Sequence, residues 1–243
     1  MSASSHLSDA FLRDLARYVG AMRARGMGVD GEDFLAVWLS ESGINPHQPN
    51  NAGHAFYGLN QLGEFHFPAV GFRGSASDYL SLSADEQLPY VMRYYENATA
   101  GDVRLLRDRS SLYLVNFTPA FVEHADEPSW VIAAEGGPRQ DIYRANRAID
   151  RAGKGWIQVS DLGAFVDGAT AGRPGYWAEV VGRYRAVAGS PGPSSGPSAW
   201  SWRAAAGVVL GLGALGLAAR AAGPRVIPDL VRKIRSTAHR RLT

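Results

Sequence analysis

Apolar residues recur at helical spacing from the start of the chain. Over residues 7–25 an apolar side chain returns every three or four positions, with charged side chains between. The apolar positions are Phe11, Leu12, Leu15, Val19 and Met22. This period is typical of an amphipathic helix, and Gly26 is suited to end it because glycine readily adopts left-handed backbone angles. The pattern therefore predicts a first helix over residues 7–25.

The same period predicts further helices along the chain. Asp30 opens a second helix, and Ser83 with Glu86 forms a capping box that opens another. Shorter helices are predicted over residues 110–116, 142–149 and 174–187. Alternation typical of strands is scarce, and residues 157–159 are its best example. The predicted fold class is therefore mainly α.

Composition divides the chain into five segments. Residues 1–27 hold the first helix, which either packs on the following domain or leads into it, and residues 28–188 form that domain. Residues 189–199 are rich in glycine, serine and proline, which bury little apolar area, and are predicted to be a linker. Residues 200–223 form an apolar segment, and residues 224–243 form a basic tail.

The apolar segment has the features of a transmembrane helix. Its central run, residues 204–219, has no charged side chain. As a helix this run is about 24 Å long, against a hydrocarbon core of about 30 Å. Trp200 and Trp202 precede the run, as aromatic residues do at a membrane interface, and Arg203 and Arg220 flank it. The alternative is a helix rich in alanine and glycine that packs against a partner protein.

Positive charge is concentrated in the tail. The chain has a net charge of +2, and residues 224–243 carry six basic side chains against one acidic one, so the tail is +5 and the rest is −3. The main domain therefore has no excess positive charge that would favour nucleic acid. The positive-inside rule places the tail on the cytoplasmic side and the domain outside. The first residues lack the apolar run of a signal peptide, so we expect no cleavable leader.

The sequence offers no pattern for a metal or a cofactor. There are no cysteines, which excludes disulfides, cysteine-based metal sites and thiol nucleophiles. Residues 150–161 have the acidic ends of a calcium loop, but Ala152 and Lys154 occupy positions where such a loop needs oxygen ligands. The histidines also lack a metal-binding spacing. We therefore expect no metal and no cofactor.

Glu41 is the candidate for acid–base chemistry. It follows an apolar stretch that includes Trp38 and Leu39, and Pro46 shortly after it cannot continue the helix. A carboxyl group at the end of a buried helix is partly desolvated, which is expected to raise its pKa and keep a proton available for a leaving oxygen. An isolated glutamate near a helix end is more often a solvated surface acid, so its position alone leaves both interpretations open.

The sequence around Glu41 resembles the lysozyme-like lytic transglycosylases that cleave peptidoglycan. Their first motif is Glu-Ser at a helix end, often continued as Gly-x-Asn-Pro, and residues 41–46 read ESGINP. Their second motif is Gly-Leu-x-Gln, and residues 58–61 read GLNQ. Their third motif, Ala-Tyr-Asn, has no complete copy, and Tyr113 with Asn116 is the closest match. The resemblance covers roughly residues 28–170 and is similar to the variant found in phage tail and virion-associated proteins.

This resemblance implies a fold, a reaction and a set of site residues. The fold is a lysozyme-like helical domain, here with a single C-terminal apolar helix, and the substrate is the β-1,4 bond between N-acetylmuramic acid and N-acetylglucosamine. Glu41 would protonate the bridging oxygen and then remove the proton of the muramic C6 hydroxyl as that oxygen closes on C1. The substrate-binding residues that it implies are Ser42, Tyr57, Gln61 and Tyr113, with Phe56 as a further stacking residue.

Two alternatives concern the reaction and the role. A hydrolase with two carboxylates needs a second acid about 5–9.5 Å from the first, and Glu64 is the nearest candidate in the sequence. A non-catalytic module could instead keep the lysozyme-like fold to bind glycan or to form part of a phage or secretion particle.

The resemblance and the apolar segment together suggest partners and a location. The expected partners are peptidoglycan glycan strands, a membrane through residues 200–223, and particle or secretion-system proteins, with no nucleic acid. We expect the domain either to face the cell wall from a membrane anchor or to be carried in a phage or injection particle.

Overall fold

The computed structural model describes residues 7–50, 55–137 and 139–189. This part of the chain is mainly helical, which confirms the predicted fold class. Its α-helices are α1 (Asp9–Arg23), α2 (Gly31–Ser42), α3 (Phe67–Val70), α4 (Ala76–Ser81), α5 (Ala84–Ala98), α6 (Arg109–Phe117), α7 (Gln140–Ala145), α8 (Val159–Ala171) and α9 (Pro174–Ala188). Short 3₁₀ helices lie at Glu64–His66, Val103–Leu105, Pro119–His124 and Arg147–Ile149.

The first predicted helix is present, and it begins and ends two residues inside the predicted range, at Asp9 and Arg23. The Ser8 hydroxyl accepts a hydrogen bond from the Phe11 N–H at the start of α1, and Gly26 follows the helix with a φ of +97°. All five apolar positions predicted from the spacing are buried. Helix α1 packs against α5 and α9, so the N-terminal segment shares one core with the rest of the described chain.

The second helix lies at the centre of this core. Asp30 caps α2 by accepting hydrogen bonds from the N–H groups of Glu32 and Asp33, as its position in the sequence predicts. The side chains from Phe34 to Leu39 are at most 2% exposed. A helix that is apolar on nearly every side needs neighbours on every side, and α6, α8 and α9 pack against it. The last turn of α2, which carries Glu41, is therefore held firmly in place.

The fifth and sixth helices also begin where the sequence indicates. The predicted capping box is present at α5, where Ser83 accepts from the Glu86 N–H and Glu86 accepts from the Ser83 N–H. Asp108 caps α6 through the Ser111 N–H. Buried aromatic and aliphatic side chains of both helices join the core around α2. These two helices bring Tyr95 and Asn116 towards the end of α2.

Two small antiparallel sheets complete the described fold. Strands β1 (Phe56–Tyr57) and β2 (Leu62–Gly63) form one sheet, and β3 (Val131–Ala134) and β4 (Trp156–Gln158) form the other. The strand predicted at residues 157–159 corresponds to β4, although Val159 already begins α8. Strand β3 was not predicted, because its four residues pair through an irregular register and give no clear alternation.

One sequence prediction needs adjustment against the structure, and the predictions for the C-terminal segments lie outside the described residues. The helix predicted over residues 142–149 is interrupted, because Asn146 has a φ of −128° and separates α7 from the 3₁₀ helix at Arg147–Ile149. The linker beyond Gly189, the apolar segment at residues 200–223 and the basic tail lie outside the described residues. Among the helices that the structure describes, none combines the length and apolar character needed to cross a bilayer.

Candidate functional site

The turn after α2 has an unusual backbone. Gly43 and Ile44 follow Glu41 with φ angles of +70° and +58°, in the left-handed region. Glycine adopts this region without cost, but a β-branched residue there is strained, typically by about 1–3 kcal/mol. The Ile44 side chain is fully buried, and its N–H donates to the Trp38 carbonyl at 3.1 Å. Burial and hydrogen bonding therefore hold the chain in a sharp reversal directly after Glu41.

Ser42 joins this turn to the second motif. Its hydroxyl oxygen lies 2.8 Å from the Leu59 carbonyl, which accepts its proton, and accepts a hydrogen bond from the Asn45 N–H at 3.2 Å. The side chain is 9% exposed. The structure therefore places Ser42 at the junction between the two motifs, with its hydroxyl acting as both donor and acceptor inside the protein.

Gln87 on α5 holds both motif segments from the other side. Its Oε1 accepts a hydrogen bond from the Leu59 N–H at 3.0 Å, and its Nε2 donates to the Pro46 carbonyl at 2.6 Å. Gly58 makes this approach possible, because a Cβ at that position would lie 2.3 Å from Gln87 Oε1 and its φ is +76°. Gln87 is fully buried although it belongs to an amphipathic helix, so the sequence pattern gave no signal for its role.

Asn60 is the centre of a buried hydrogen-bond network. Its Oδ1 accepts three hydrogen bonds: from Trp38 Nε1 at 2.9 Å, from the Tyr95 hydroxyl at 2.7 Å and from Asn116 Nδ2 at 2.8 Å. The three donors belong to α2, α5 and α6. Asn60 is 3% exposed, so water does not replace these bonds. The second motif is therefore fixed to three helices at one oxygen atom.

Glu41 lies beside this network. The residue is half-buried, and its Oε1 atom is buried. Burial, together with the nearby Tyr94 and the negative charge of Glu41, raises the pKa of Tyr95 well above its usual range. The structure thus brings the proposed acid close to Tyr95, whose hydroxyl donates to Asn60.

A small cleft adjoins Asn60. Its interior space is about 20 Å³, room for about one water molecule. The described residues that line it are Phe56, Asn60, Gln61, Leu62, Gly63, Phe65, His66, Tyr94, Asn116, Phe117 and Pro119. The predicted site residue Gln61 is among them, with a φ of +47° and its Nε2 donating to the Gln48 and Gly58 carbonyls at 3.0 Å. Glu41 is not among these lining residues. Its charge acts on Tyr95, whose hydroxyl donates a hydrogen bond to Asn60, and Asn60 lines the cleft.

The described lining of the cleft carries no formal charge at neutral pH. It has no Asp, Glu, Lys or Arg, and its one titratable side chain near neutrality is His66. Burial lowers the pKa of His66 to about 4, so its imidazole is neutral at pH 7. The His66 ring packs against Phe65, with centroids 4.3 Å apart, and edge-on against Tyr94 at 5.0 Å.

The remaining predicted site residues lie around this centre. Tyr57 is in β1, half-buried and tilted against Phe67. Tyr113 is 5% exposed and stacks on Phe117, with centroids 6.4 Å apart. Glu64 is exposed at the start of the 3₁₀ helix that ends at His66.

Asn116 and His66 line the cleft but were not among the predicted substrate-binding residues. Asn116 lies in the stretch matched to the third motif, and its polar side chain near the end of an otherwise apolar helix was the available signal. It lines the cleft and binds Asn60, whereas Tyr113 packs into the core. His66 sits in a short turn with no periodic pattern, so only the structure places it in the cleft.

In the loop that resembles a calcium site, the two acidic side chains are hydrogen-bonded or ion-paired with protein groups. Asp150 accepts hydrogen bonds from the N–H groups of Lys154 and Gly155 and from the Tyr143 hydroxyl. Lys154 donates to Asp161 at 2.8 Å, where a calcium loop would place its last ligand. Over the described residues, no three or more His, Asp or Glu side chains are grouped to hold a metal ion.

No family model, curated protein or solved structure matches this chain.

Proposed function

We propose that this protein is a lytic transglycosylase with a lysozyme-like fold. Its substrate is the β-1,4 bond between N-acetylmuramic acid and N-acetylglucosamine in peptidoglycan, and Glu41 is both the acid and the base. The proposal rests on the ESGINP and GLNQ stretches and on their arrangement in space.

The observation that carries this proposal is the contact between the two stretches. They are separated along the chain, yet Ser42 donates to the Leu59 carbonyl, and Trp38, which precedes the first stretch in the same helix, donates to Asn60. Two strained residues, Ile44 and Gln61, fall within these stretches. Backbone strain concentrates at sites where geometry serves function. A coincidental match in sequence would not require the two segments to meet beside a half-buried carboxyl group.

The proposed reaction needs one carboxyl group. Glu41 donates its proton to the oxygen that links the two sugars, and the bond from that oxygen to C1 of N-acetylmuramic acid breaks. The resulting carboxylate takes the proton of the C6 hydroxyl, whose oxygen forms a new bond to C1. The products are a 1,6-anhydro sugar and a free hydroxyl on N-acetylglucosamine, no water is consumed, and Glu41 regains its proton.

A water-dependent reaction would need a second carboxylate near the first. Glu64 was the candidate from sequence, and it is solvent-exposed at the start of a 3₁₀ helix. An exposed acid is less suited than a half-buried one to hold a water molecule in a fixed position against the sugar. This placement supports the intramolecular route over hydrolysis.

The second candidate function is a non-catalytic glycan-binding or structural module of a phage or secretion particle. The absence of Glu41 from the described lining of the cleft favours it, because a general acid must reach the bond it cleaves. In this case Glu41 would serve only in packing around Tyr95.

The two functions differ in the effect of Glu41→Gln on peptidoglycan cleavage. The full-length protein is incubated with purified peptidoglycan, and the released muropeptides are analysed by mass spectrometry. We expect 1,6-anhydro products from the wild type and a loss of about 10²–10⁴ in rate for Glu41→Gln, the usual size of general acid–base catalysis. Glu64→Gln is the matched control and is expected to keep most of the activity.

Three results would change this assignment. An active Glu41→Gln protein would remove Glu41 from the reaction. Products with free reducing ends, combined with an inactive Glu64→Gln protein, would favour hydrolysis. An inactive wild-type protein that still binds peptidoglycan would favour the non-catalytic module.

We also propose that the domain acts close to a membrane. Residues 200–223 lie outside the described residues, and the proposal rests on their apolar composition, the flanking tryptophans and the basic tail. The domain would face the cell wall from this anchor, or it would be delivered as part of a phage or injection particle.

A further inference from the structure

Arg139 holds a positive charge against two aromatic rings. Its guanidinium carbon lies 4.9 Å from the centre of the Phe121 ring and 5.0 Å from the centre of the Trp130 ring. The centres of these two rings are 5.0 Å apart. Aromatic rings attract a cation, but they also remove part of the water around it. We call these three side chains the Arg139 cluster.

No acidic side chain among the described residues pairs with Arg139. By contrast Arg109 and Arg183, which are also half-buried, pair with Asp33 and Asp9. Burial lowers the pKa of Arg139, but an arginine still carries its charge at neutral pH. A charge that is partly removed from water and has no partner of opposite sign is costly. The Arg139 cluster is therefore suited to an anionic ligand.

Two nitrogen atoms of Arg139 also have no acceptor among the described residues. Nη2 donates to the Val131 carbonyl at 2.9 Å. Nε is buried without a hydrogen-bond partner, and Nη1 donates to no described residue. A guanidinium is planar and offers parallel N–H groups, which match the two oxygen atoms of a carboxylate. The open hydrogen-bonding positions therefore agree with the charge in favouring an acidic group.

The Trp130 ring offers little surface for stacking on a neutral sugar. His124 stacks on it with the ring centres 4.1 Å apart and the planes at 8°. Phe121 and Arg139 contact the same ring. Charge and hydrogen bonding, rather than stacking, are therefore what this part of the surface provides to a ligand.

The number of charges favours a carboxylate over a phosphate monoester. The Arg139 cluster contains one cation, and the acidic side chains of the neighbouring segment, Glu123 and Glu127, lie against His124. A carboxylate carries one negative charge, whereas a phosphate monoester carries about −1.5 to −2 at pH 7. One guanidinium therefore balances a carboxylate and leaves a phosphate monoester partly uncompensated.

From this arrangement we infer that Arg139 binds a carboxylate of the short peptides attached to peptidoglycan. The inference rests on the function proposed above, in which peptidoglycan is the substrate. Phe121 belongs to the 3₁₀ helix Pro119–His124, whose first residue lines the cleft beside Asn60, so the Arg139 cluster continues the surface of the candidate site. The peptides branch from N-acetylmuramic acid and carry free carboxylates, which the glycan chain itself lacks.

The test uses a peptide without sugar, so it does not depend on cleavage. The full-length wild-type protein is titrated, with NMR detection, with an N-acetylated wall tetrapeptide (alanine, γ-linked D-glutamate, acetyl-lysine, D-alanine) that has two free carboxylates. The matched ligand is its diamide, in which both carboxylates are replaced by amides. We expect the dicarboxylate to bind at least tenfold more tightly, as for a charge-assisted hydrogen bond. Equal affinities would overturn the inference.

A variant at Arg139 identifies the residue responsible. Arg139→Gln removes the charge but keeps an N–H donor for the Val131 carbonyl, and we expect the preference for the dicarboxylate to fall to within about twofold. The control is Arg144→Gln, which makes the same change in charge at a side chain that is 65% exposed and lies 4.0 Å from Asp141. It is expected to keep the preference. A preference that persists in Arg139→Gln would exclude Arg139 as its source.

A second measurement needs no variant. The Nε–H signal of Arg139 is assigned through bonds in the wild-type protein and followed during both titrations. We expect the dicarboxylate to shift this signal and the diamide to leave it unchanged. A signal that the dicarboxylate does not move would contradict the inference even if Arg139→Gln fails to fold.

Glycerol phosphate distinguishes a carboxylate site from a phosphate site. We expect it to shift the Arg139 Nε–H signal with an affinity at least tenfold weaker than that of the dicarboxylate. Tighter binding of glycerol phosphate would overturn the assignment to wall peptides and indicate a phosphate-bearing ligand.

The outcomes separate this inference from the proposed function. If peptidoglycan cleavage depends on Glu41 but the dicarboxylate is not preferred, the inference about Arg139 fails and the transglycosylase proposal stands. If the dicarboxylate binds through Arg139 but peptidoglycan is not cleaved, the inference about Arg139 stands and the protein is a non-catalytic module that binds wall peptides.

Discussion

At the scale of single residues, Asn60 provides the shared acceptor for three hydrogen-bond donors of the site. One oxygen atom accepts hydrogen bonds from Trp38, Tyr95 and Asn116. Removing it in Asn60→Ala leaves three donors without their acceptor, and an unsatisfied buried group costs about 1–3 kcal/mol. We expect this variant to lose more than 3 kcal/mol of unfolding free energy in urea titrations.

The matched comparison is Tyr95→Phe, which removes one donor and leaves two. Its expected loss is about 1 kcal/mol, the net value of a single hydrogen bond. If Asn60→Ala costs no more than Tyr95→Phe, the three bonds do not act through one shared acceptor and the network is incorrectly described.

His66 gives the domain a defined dependence on pH. Burial lowers its folded-state pKa to about 4, below the ordinary value of 6.5. As pH falls below about 6.5 the unfolded chain takes up a proton that the folded chain does not, so stability is lost between pH 6.5 and 4. The loss between neutral pH and pH 4 is on the order of 3 kcal/mol, because the two pKa values differ by about 2.5 units at 1.36 kcal/mol per unit. In urea unfolding, the loss between pH 7 and pH 5 should be smaller in His66→Phe, and an identical loss would contradict a buried neutral imidazole.

At the scale of elements, α5 carries Gln87 and Tyr95 into the site, and its capping box fixes where it begins. The backbone and hydroxyl of Ser83 donate to Glu86 and lower the pKa of that carboxyl group. We expect Ser83→Ala to cost about 1 kcal/mol in urea unfolding, the usual value of an N-cap. Ser81→Ala is the control, because its exposed hydroxyl binds only the Asp78 carbonyl within α4, and its expected effect is within about 0.5 kcal/mol.

The pH dependence of the cap follows from the same carboxyl group. Because its folded pKa is lowered, the contribution of Glu86 is present above the ordinary pKa of a glutamate and is lost as pH falls through the folded value. The difference in stability between wild type and Glu86→Gln should therefore disappear in acid. A difference that persists at low pH would show that packing, and not the cap, is responsible.

The elements that the sequence predicts well are those with a local cause. Ser83, Asp30 and Gly26 act on backbone groups within a few residues, so their effect is visible in the sequence itself. Strand β3 and the roles of Gln87 and Asn116 depend on partners far along the chain. A single sequence contains no signal for such partners, because a polar residue on an amphipathic helix normally faces water.

At the scale of the whole molecule, hydrogen bonds and ion pairs join the last described helix to the first residues of the described chain and to α2. Arg183 on α9 donates to the Leu7 carbonyl at 2.7 Å and to Asp9 at 2.9 Å, and Arg185 pairs with Glu32 on α2. Buried residues from α1 to α9 belong to one hydrophobic cluster. We therefore expect residues 1–189 to fold without the rest of the chain, with the helical circular dichroism and the gel-filtration volume of a compact monomer. An aggregated or unfolded product would show that residues beyond 189 belong to the core.

The segment at residues 200–223 gives the last prediction, which concerns attachment of the whole molecule to a bilayer. Its apolar run, flanked by tryptophans and followed by a tail of net charge +5, should insert into membranes, whereas none of the described helices can span one. We expect the full-length protein to float with liposomes in a density gradient and to remain with them at high salt, because insertion depends on apolar burial and salt screens only the charged tail. The protein ending at residue 189 should stay at the bottom of the gradient. Release of the full-length protein by salt would indicate electrostatic adsorption alone. Failure of both proteins to float would mean that the segment packs against a partner protein instead.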